Sequence, residues 1–408
     1  MATRFFIAGL IFISVAVCGL KVAGQKLLWN DELFTQVETI DRLGFPEIIQ
    51  AKFPEGNLSP LFYLGQKWIC ALADYRLPVK WRGEFCIYEP HGQVLLRILP
   101  VVCMALAMAL IFWYFAVRFS FGTGFLSLAV TLSGFSFWAF MPEARPYALW
   151  VLLCALQCML FWEIVGGQNA GKRWPWLGLA LVNILLAFTI FFSAFSVIAV
   201  AVVLFCYQRR QYLWYSFLVT VLPLAICAMY YFLAKRTYAN LAQDPGSILL
   251  LIKSGLALVL SGALFAQRDL ILTNVSPFWF YFLAVGAGVI GWRYVAGRSA
   301  SCHCSLEEKG FWGLLGAFVL MLAMALTVIF WFLGWKASGN FAVAERYFIF
   351  LTPFAVFLVV LTARLLWRRA QEDAGCRLMV VVGTGSVIAL TSLWTHIQLM
   401  KWGPFWSV

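Results

Sequence analysis

The chain is built from repeated apolar runs, and most of these runs are long enough to cross a lipid bilayer. A transmembrane helix needs about 20 mostly apolar residues. Only helices and closed barrels satisfy their own backbone polar groups inside a membrane, so the runs predict an all-α polytopic membrane protein. The runs lie near residues 5–23, 96–117, 121–141, 146–165, 175–191, 193–207, 212–233, 277–296, 311–333, 347–366 and 377–397.

Composition excludes the soluble alternatives. Of the 408 residues, 63% are hydrophobic and 12% are charged, whereas a soluble domain has about 25% charged residues. A cytosolic enzyme, a nucleic-acid-binding domain and a disordered chain are therefore excluded. The net charge of +12 is typical of a membrane protein with basic cytoplasmic loops; an anionic lipid substrate is the alternative explanation.

Charge also predicts the topology. A twelfth apolar run, 248–266, contains Lys253, and a spanning helix there would force Arg298 and Arg368 to the outside. If that run is a re-entrant or surface helix and residue 1 is cytoplasmic, 13 of the 18 acidic residues fall outside. We therefore expect eleven spans. The first run follows Arg4 and lacks a convincing cleavage site, so it is interpreted as a retained helix and not a signal peptide.

The predicted loops differ greatly in length, and the longest loop is the predicted location of the functional site. The segment 24–95 is far longer than the other loops and holds nine acidic residues, all between Asp31 and Glu89. Long ordered loops are usually functional. Residues 234–276 form a second extracytoplasmic segment, which contains the predicted re-entrant or surface helix. No repeat or linker divides the chain, so residues 1–408 are predicted to form a single membrane domain.

Charged residues at predicted helix ends are the candidates for chemistry. Asp31 and Glu32 follow the first span, and Glu143 and Arg145 fill a tight turn between two spans. A charge at the centre of a membrane costs about 2.5–3.5 kcal/mol on insertion scales. Solvated juxtamembrane carboxylates and a local Glu143–Arg145 ion pair are the structural alternatives. Arg346 opens a later span, where its side chain either reaches the interface or binds a phosphate.

The cysteines suggest little chemistry. Most lie in apolar runs, where cysteine behaves as a small hydrophobic residue. Cys70 and Cys86 share the long loop, so a disulfide between them is one hypothesis and two free thiols are the other. Cys302, His303 and Cys304 are spaced too tightly for a standard zinc site, and a solvated loop is the favoured interpretation.

Several of these motifs occur in the order found in a known family. They are Asp31-Glu32, the stretch Asn57 to Tyr63 with Pro60, Leu96-Arg97-Ile98-Leu99-Pro100, Glu143-Ala144-Arg145-Pro146-Tyr147, and Arg346-Tyr347. The chain resembles the GT-C membrane glycosyltransferases, in the family 39 branch of protein O-mannosyltransferases and lipid A aminoarabinose transferases. The resemblance covers residues 1–165 well, and beyond them it rests on topology and the Arg346-Tyr347 pair.

The resemblance implies a GT-C-like bundle whose long first extracytoplasmic loop carries juxtamembrane helices. It also implies a polyprenyl-phosphate sugar donor and a lipid, protein or glycan acceptor, at the outer face of a plasma or inner membrane. Asp31 would be the base, and Glu32 would orient the acceptor or the loop. Pro60 and Tyr63 would belong to a substrate loop. The residues expected to hold the donor phosphate or to anchor the loop are Arg97, Glu143, Arg145, Tyr147, Arg346 and Tyr347.

Two departures from the family pattern matter. Ser59-Pro60 stands where relatives often have His or Lys before a Pro-Pro pair, so a basic contact would be missing or would come from Lys52, Lys67, Lys80 or Arg82. The Asp-x-Asp metal motif is absent, so no cofactor is expected to be required, although a divalent metal remains possible. A transporter or flippase is the alternative from another class, and a lipid-glycan polymerase or ligase is the third hypothesis.

Overall fold

The computed structural model consists almost entirely of helices. It describes residues 1–26, 28, 30–50, 52, 60–76, 80–82, 85–87, 91–166, 172–190, 192–207, 213–235, 286, 305–335, 349–370 and 374–406. Six helices are long and apolar enough to cross a membrane, which indicates a multi-pass integral membrane protein. Four shorter apolar helices occupy further predicted spans. The predicted span 277–296 and the run 248–266 lie outside the described residues apart from Gly286, so the number of spans stays a prediction.

The first third of the chain contains one long helix, a group of short elements and a second long helix. These are α1 (Ala2–Gln25), α2 (Asn30–Phe34), a π-helix (Thr35–Asp41), α3 (Phe45–Ile49), α4 (Pro60–Leu72), the antiparallel strands β1 (Lys80–Arg82) and β2 (Phe85–Ile87), and α5 (His91–Arg118). Pro60 is the first residue of α4, a position where its missing N–H costs no helical hydrogen bond.

The rest of the described chain forms the bundle around α5. Its helices are α6 (Phe121–Ser133), α7 (Phe135–Phe140), α8 (Tyr147–Val165), α9 (Arg173–Ala187), α10 (Ser193–Tyr207), α11 (Leu213–Lys235), α12 (Leu306–Trp335), α13 (Leu351–Arg369) and α14 (Ala374–Trp406). Within their apolar stretches, 83% of α8 and 78% of α13 is buried, against 11% of α1 and 17% of α14. Thus α8 and α13 form the centre, while α1 and α14 present apolar side chains outward.

Contacts between helix ends define two faces of the bundle. At one, Arg97 near the start of α5 donates to the Ala23 carbonyl at the end of α1, and Trp150 near the start of α8 stacks on Phe350 just before α13. We call this the loop face. At the other, Glu163 near the end of α8 pairs with Arg118 at the end of α5, 3.3 Å away.

Small residues allow a close helix crossing at that second face. Gly166 follows α8, and a Cβ placed there would lie 2.8 Å from the Cα of Gly310 in α12. Such a distance is too short for any larger side chain, so the two glycines permit backbone contact. Membrane helices commonly use small residues at interfaces for this reason.

Among the described helices, α5 and α11 each carry a proline well inside the helix, and each of these prolines leaves a carbonyl in need of a donor. Pro100 lies within α5 and Pro223 within α11. A proline has no N–H for the carbonyl of the residue four positions earlier. In α5 that carbonyl belongs to Leu96, and it accepts a hydrogen bond of 2.7 Å from Nε2 of Gln66. A buried amide side chain from another helix thus supplies the missing donor.

Candidate functional site at the loop face

Buried charge is concentrated at the loop face. The charged side chains that are buried among the described residues are Lys26, Glu32, Arg97, Glu143, Arg145 and Glu163. All except Glu163 lie where α1, α2, the start of α5 and the turn before α8 meet. Buried charges in a membrane protein are costly and commonly mark function, so this cluster is the candidate site.

Glu32 and Arg97 form the centre of the cluster. Arg97 Nη2 lies 2.7 Å from Glu32 Oε2, and Arg97 Nε donates to Glu32 Oε1 at 3.1 Å. Both side chains are 0% exposed. The planar guanidinium therefore binds the carboxylate through two parallel hydrogen bonds, the strongest geometry for such a pair.

Arg97 also closes the end of α1. Its Nη1 donates to the Ala23 carbonyl at 2.9 Å and to the Lys26 carbonyl. The last carbonyls of a helix have no intrahelical partner, and a cation there also interacts favourably with the helix dipole. One arginine thus ties α5 both to the end of α1 and to α2.

The turn between α7 and α8 is anchored to the same group. The Ala144 amide donates to Glu32 Oε1 at 2.5 Å, and Glu143 Oε1 lies 3.2 Å from Lys26 Nζ. The sequence suggested a local Glu143–Arg145 pair, but it did not single out Lys26. A lysine just past a first span resembles an ordinary basic flank, so no signal separated it from its neighbours.

Arg145 contacts the stretch that carries Asp31. Its Nη1 donates to the Asp31 carbonyl at 3.2 Å and to the Thr35 hydroxyl. Thr35 in turn donates to the Asp31 carbonyl at 2.9 Å. The backbone at Asp31 is therefore held from two directions. The Asp31 side chain itself is half-buried, in contrast to the fully buried side chain of Glu32.

The π-helix and α4 pack beside this stretch. Lys67 Nζ donates to the Ile40 carbonyl at 2.7 Å, and the Leu61 amide donates to the Phe188 carbonyl at 3.0 Å. Pro60 and Tyr63, which the resemblance placed in a substrate loop, are buried on α4. π-helical turns are rare overall, and those that occur are often found near functional sites. The contact of Lys67 with the Ile40 carbonyl holds α4 against the π-helix that follows Asp31.

The structure brings most predicted site residues together. Asp31, Glu32, Arg97, Glu143 and Arg145 form one cluster, and Tyr147 is buried next to it at the start of α8, where its ring meets Phe140 at a centroid distance of 5.5 Å. Arg97 contacts Glu32 and the carbonyls at the end of α1. The chemical roles of these residues stay predictions.

Other predictions fall on residues that the structure does not describe. They are Arg346 and Tyr347, the tract Cys302-His303-Cys304, Lys253, and the side chains of Lys80 and Arg82. Among the donors suggested in place of the family's basic residue, Lys67 is engaged with the π-helix and Lys52 is exposed.

Of the two hypotheses for Cys70 and Cys86, the structure shows the free thiol for Cys70, whereas the side chain of Cys86 lies outside the described residues. Cys70 is a free, buried thiol, and its Sγ accepts a hydrogen bond from Gln36 Nε2 at 3.8 Å. The buried face of α4 packs on the π-helix, and this directs Cys70 towards Gln36. Burial raises the pKa of the Cys70 thiol to about 11, although the hydrogen bond from Gln36 opposes the shift.

The residues described contain no group of three or more His, Cys, Asp or Glu side chains arranged to hold a metal ion. No family model matches the chain, and no curated protein matches it. The resemblance to GT-C enzymes therefore rests on the motifs and on the predicted topology.

Proposed function

We propose that the protein is a membrane glycosyltransferase that moves a sugar from a polyprenyl-phosphate donor to an acceptor hydroxyl at the extracytoplasmic face. The observation that carries the proposal is the different placement of two adjacent carboxylates. Glu32 is bound by Arg97 and the Ala144 amide, whereas Asp31 is half-buried at the start of α2. Glu32 is thereby held as an anchor, whereas the side chain of Asp31 is half-buried.

A single positioned carboxylate suits this reaction. We propose that Asp31 accepts the proton of the acceptor hydroxyl while the oxygen of that hydroxyl bonds to the anomeric carbon of the sugar. The bond from that carbon to the phosphate oxygen breaks, and polyprenyl phosphate leaves with the electron pair. General-base catalysis of this kind contributes about 10²–10⁴-fold.

The arrangement favours inversion at the anomeric carbon. Retaining enzymes place two carboxyl groups about 5–5.5 Å apart across the sugar. Glu32 is adjacent to Asp31 in the chain, is fully buried and is engaged by Arg97. It is therefore poorly placed to serve as the second carboxyl group, and a single displacement is the proposed course.

Departure of the phosphate requires nearby cations or hydrogen-bond donors. Arg97 is occupied by Glu32 and by the α1 carbonyls, and Arg145 contacts the Asp31 stretch. We propose anchoring for Arg97, Glu143 and Arg145, and we assign the donor phosphate to Arg346 with Tyr347 because the family resemblance implies that role. The proposed reaction requires no cofactor.

The distribution of polar groups favours an enzyme over a transporter. Transporters commonly place charged or ion-binding groups near the bilayer midplane. In the described helices, the buried charges lie at the helix ends, and the polar pair near the middle is neutral. There, Gln157 Nε2 donates to Asn183 Oδ1 at 2.8 Å.

The test uses purified protein in liposomes with mannosyl, glucosyl or aminoarabinosyl decaprenyl phosphate and with a membrane extract that supplies lipid, protein and glycan acceptors. It measures release of decaprenyl phosphate together with transfer of the sugar to an acceptor. Asp31→Asn removes the base while preserving size, so turnover should fall by about 10²-fold or more with donor binding largely kept. Asp74→Asn is the matched control, because Asp74 is exposed at the end of α4, and it should leave turnover unchanged.

Near-normal turnover in Asp31→Asn would exclude Asp31 as the base. Movement of intact donor across the liposome membrane without cleavage, unaffected by Asp31→Asn, would establish the transporter alternative.

A further inference from the structure

Gln66 in α4 donates a hydrogen bond to a carbonyl of α5 that lies next to the candidate site and that Pro100 leaves without a helical donor. Pro100 leaves the Leu96 carbonyl without its helical donor, and Gln66 Nε2 supplies one at 2.7 Å. Gln66 is only 1% exposed. Leu96 immediately precedes Arg97, the residue that holds Glu32 and the end of α1.

We propose that Gln66 is a positioning residue for the site, acting through the Leu96 carbonyl to fix α4 and the Arg97 segment of α5 relative to each other. The inference rests on the proposed function only in treating Asp31 as the reacting group. Its structural part, the coupling of α4 docking to Pro100, can be tested without any transfer reaction.

The effect of Gln66 depends on the balance between α4 docked on α5 and α4 released from it. If Gln66 cannot donate, docking of α4 buries a carbonyl with no partner, which is unfavourable in an apolar surrounding. If residue 100 has an N–H, the Leu96 carbonyl is satisfied within α5, and the need for Gln66 disappears. Gln66→Leu should therefore loosen α4, and adding Pro100→Ala should restore its docking.

Cys70 reports the docking directly. It lies one turn beyond Gln66 on the same buried face of α4, and its thiol is buried against Gln36. Release of α4 would expose the thiol and return its pKa from about 11 towards the ordinary value of about 8.5. Both changes accelerate reaction with a maleimide.

The experiment treats the full-length protein with N-ethylmaleimide at pH 8 and quantifies modification of the Cys70 peptide by mass spectrometry. Gln66→Leu should raise the labelling rate by at least about tenfold, because both access and thiolate fraction increase. Gln66→Leu/Pro100→Ala should return the rate to within about threefold of the original. Pro100→Ala alone adds a helical hydrogen bond, so it provides a folded background in which loss of Gln66 should have little effect.

A second proline provides the matched control. Asn183 donates to the Val219 carbonyl that Pro223 leaves unpaired, and this pair joins α9 to α11. Asn183→Leu should therefore leave Cys70 labelling unchanged. Equal labelling in Gln66→Leu and in the double variant, or an equal increase in Asn183→Leu, would overturn the proposal.

The reaction provides an independent readout. In liposomes with the donor, Gln66→Leu should lower kcat by about 10-fold with little change in KM, since small displacements at a site cost about this much or more. Pro100→Ala should rescue it. If the original protein transfers no sugar while the labelling pattern holds, the proposed function fails and the coupling stands. If transfer occurs but labelling is uncoupled from Pro100, the coupling fails alone.

Discussion

Asn183 Nδ2 lies 2.9 Å from the Val219 carbonyl oxygen, the same oxygen that would accept a helical hydrogen bond if residue 223 were not proline. Asn183 also accepts a hydrogen bond from Gln157. The side-chain amide thereby joins α8, α9 and α11 at one buried point. Interior prolines in membrane helices are tolerated where neighbouring side chains satisfy the freed backbone group.

This contact predicts a compensating pair of substitutions. Asn183→Leu should lower the free energy of unfolding by about 1–2 kcal/mol, because the Val219 carbonyl stays buried without a donor. Asn183→Leu/Pro223→Ala should recover most of that loss. Unfolding in sodium dodecyl sulfate, followed by circular dichroism, gives the values. Thr362→Val is the control, since its buried hydroxyl has no hydrogen-bond partner within the described part of the chain; a larger loss in the double variant than in the single would contradict the prediction.

The Glu32–Arg97 pair should show strong coupling in a double-mutant cycle. Removing either partner leaves the other charge buried, which costs about 3–5 kcal/mol. Glu32→Leu/Arg97→Leu should therefore cost less than the sum of the two single changes. Stability measured by the same unfolding assay decides this, and additive single effects would show that the two charges do not stabilise each other.

Arg97→Lys tests the geometry of the pair separately. Lysine keeps the charge but cannot donate in parallel to both oxygens of Glu32 while also reaching the α1 carbonyls. We expect partial losses of stability and of turnover. The conservative comparison is Arg42→Lys, because Arg42 pairs with Glu38 at an exposed position and should tolerate the change. A fully active Arg97→Lys protein would argue against the anchoring role.

The Cys70 thiol predicts a pH dependence. Its pKa is raised to about 11 by burial, so the folded state holds the proton more tightly than the unfolded state does. The stabilising contribution of the neutral thiol is therefore full below its unfolded pKa of about 8.5 and is lost as the pH rises to about 11. Maleimide labelling at pH 7–10 should be slow in folded protein and fast in detergent-unfolded protein, and equal rates would contradict the burial.

The proposed placement of the loop face on the extracytoplasmic side predicts opposite labelling of two positions. Asp74 and Lys172 are both exposed, and they lie on opposite sides in the proposed topology. In a cysteine-depleted background, an impermeant maleimide applied to intact cells should label Asp74→Cys and spare Lys172→Cys. The reverse pattern would invert the topology. Lys336→Cys should behave like Asp74→Cys, although position 336 lies outside the described residues.

The sequence determined the helical membrane class of the protein and singled out most of the charged residues that cluster at the loop face. Apolar runs of near-bilayer length predict helices, because a helix satisfies the hydrogen bonds of every backbone group within the membrane. Helices occupy the described parts of the predicted spans. Charges at predicted helix ends pointed to Asp31, Glu32, Arg97, Glu143 and Arg145, and all five meet at the loop face.

Only the tertiary structure decided which groups pair. Arg97 reaches Glu32 across 65 residues and Lys26 reaches Glu143 across 117, and no local pattern reveals such partners. Pro100 indicates that the Leu96 carbonyl needs a donor, but the sequence does not predict that Gln66 provides it. Cys70 and Cys86 share a loop, which left a disulfide and two free thiols both open, and the packing of α4 on the π-helix directs Cys70 towards Gln36. Helix formation depends on neighbouring residues and the surrounding solvent, whereas these pairings depend on how separate helices pack together.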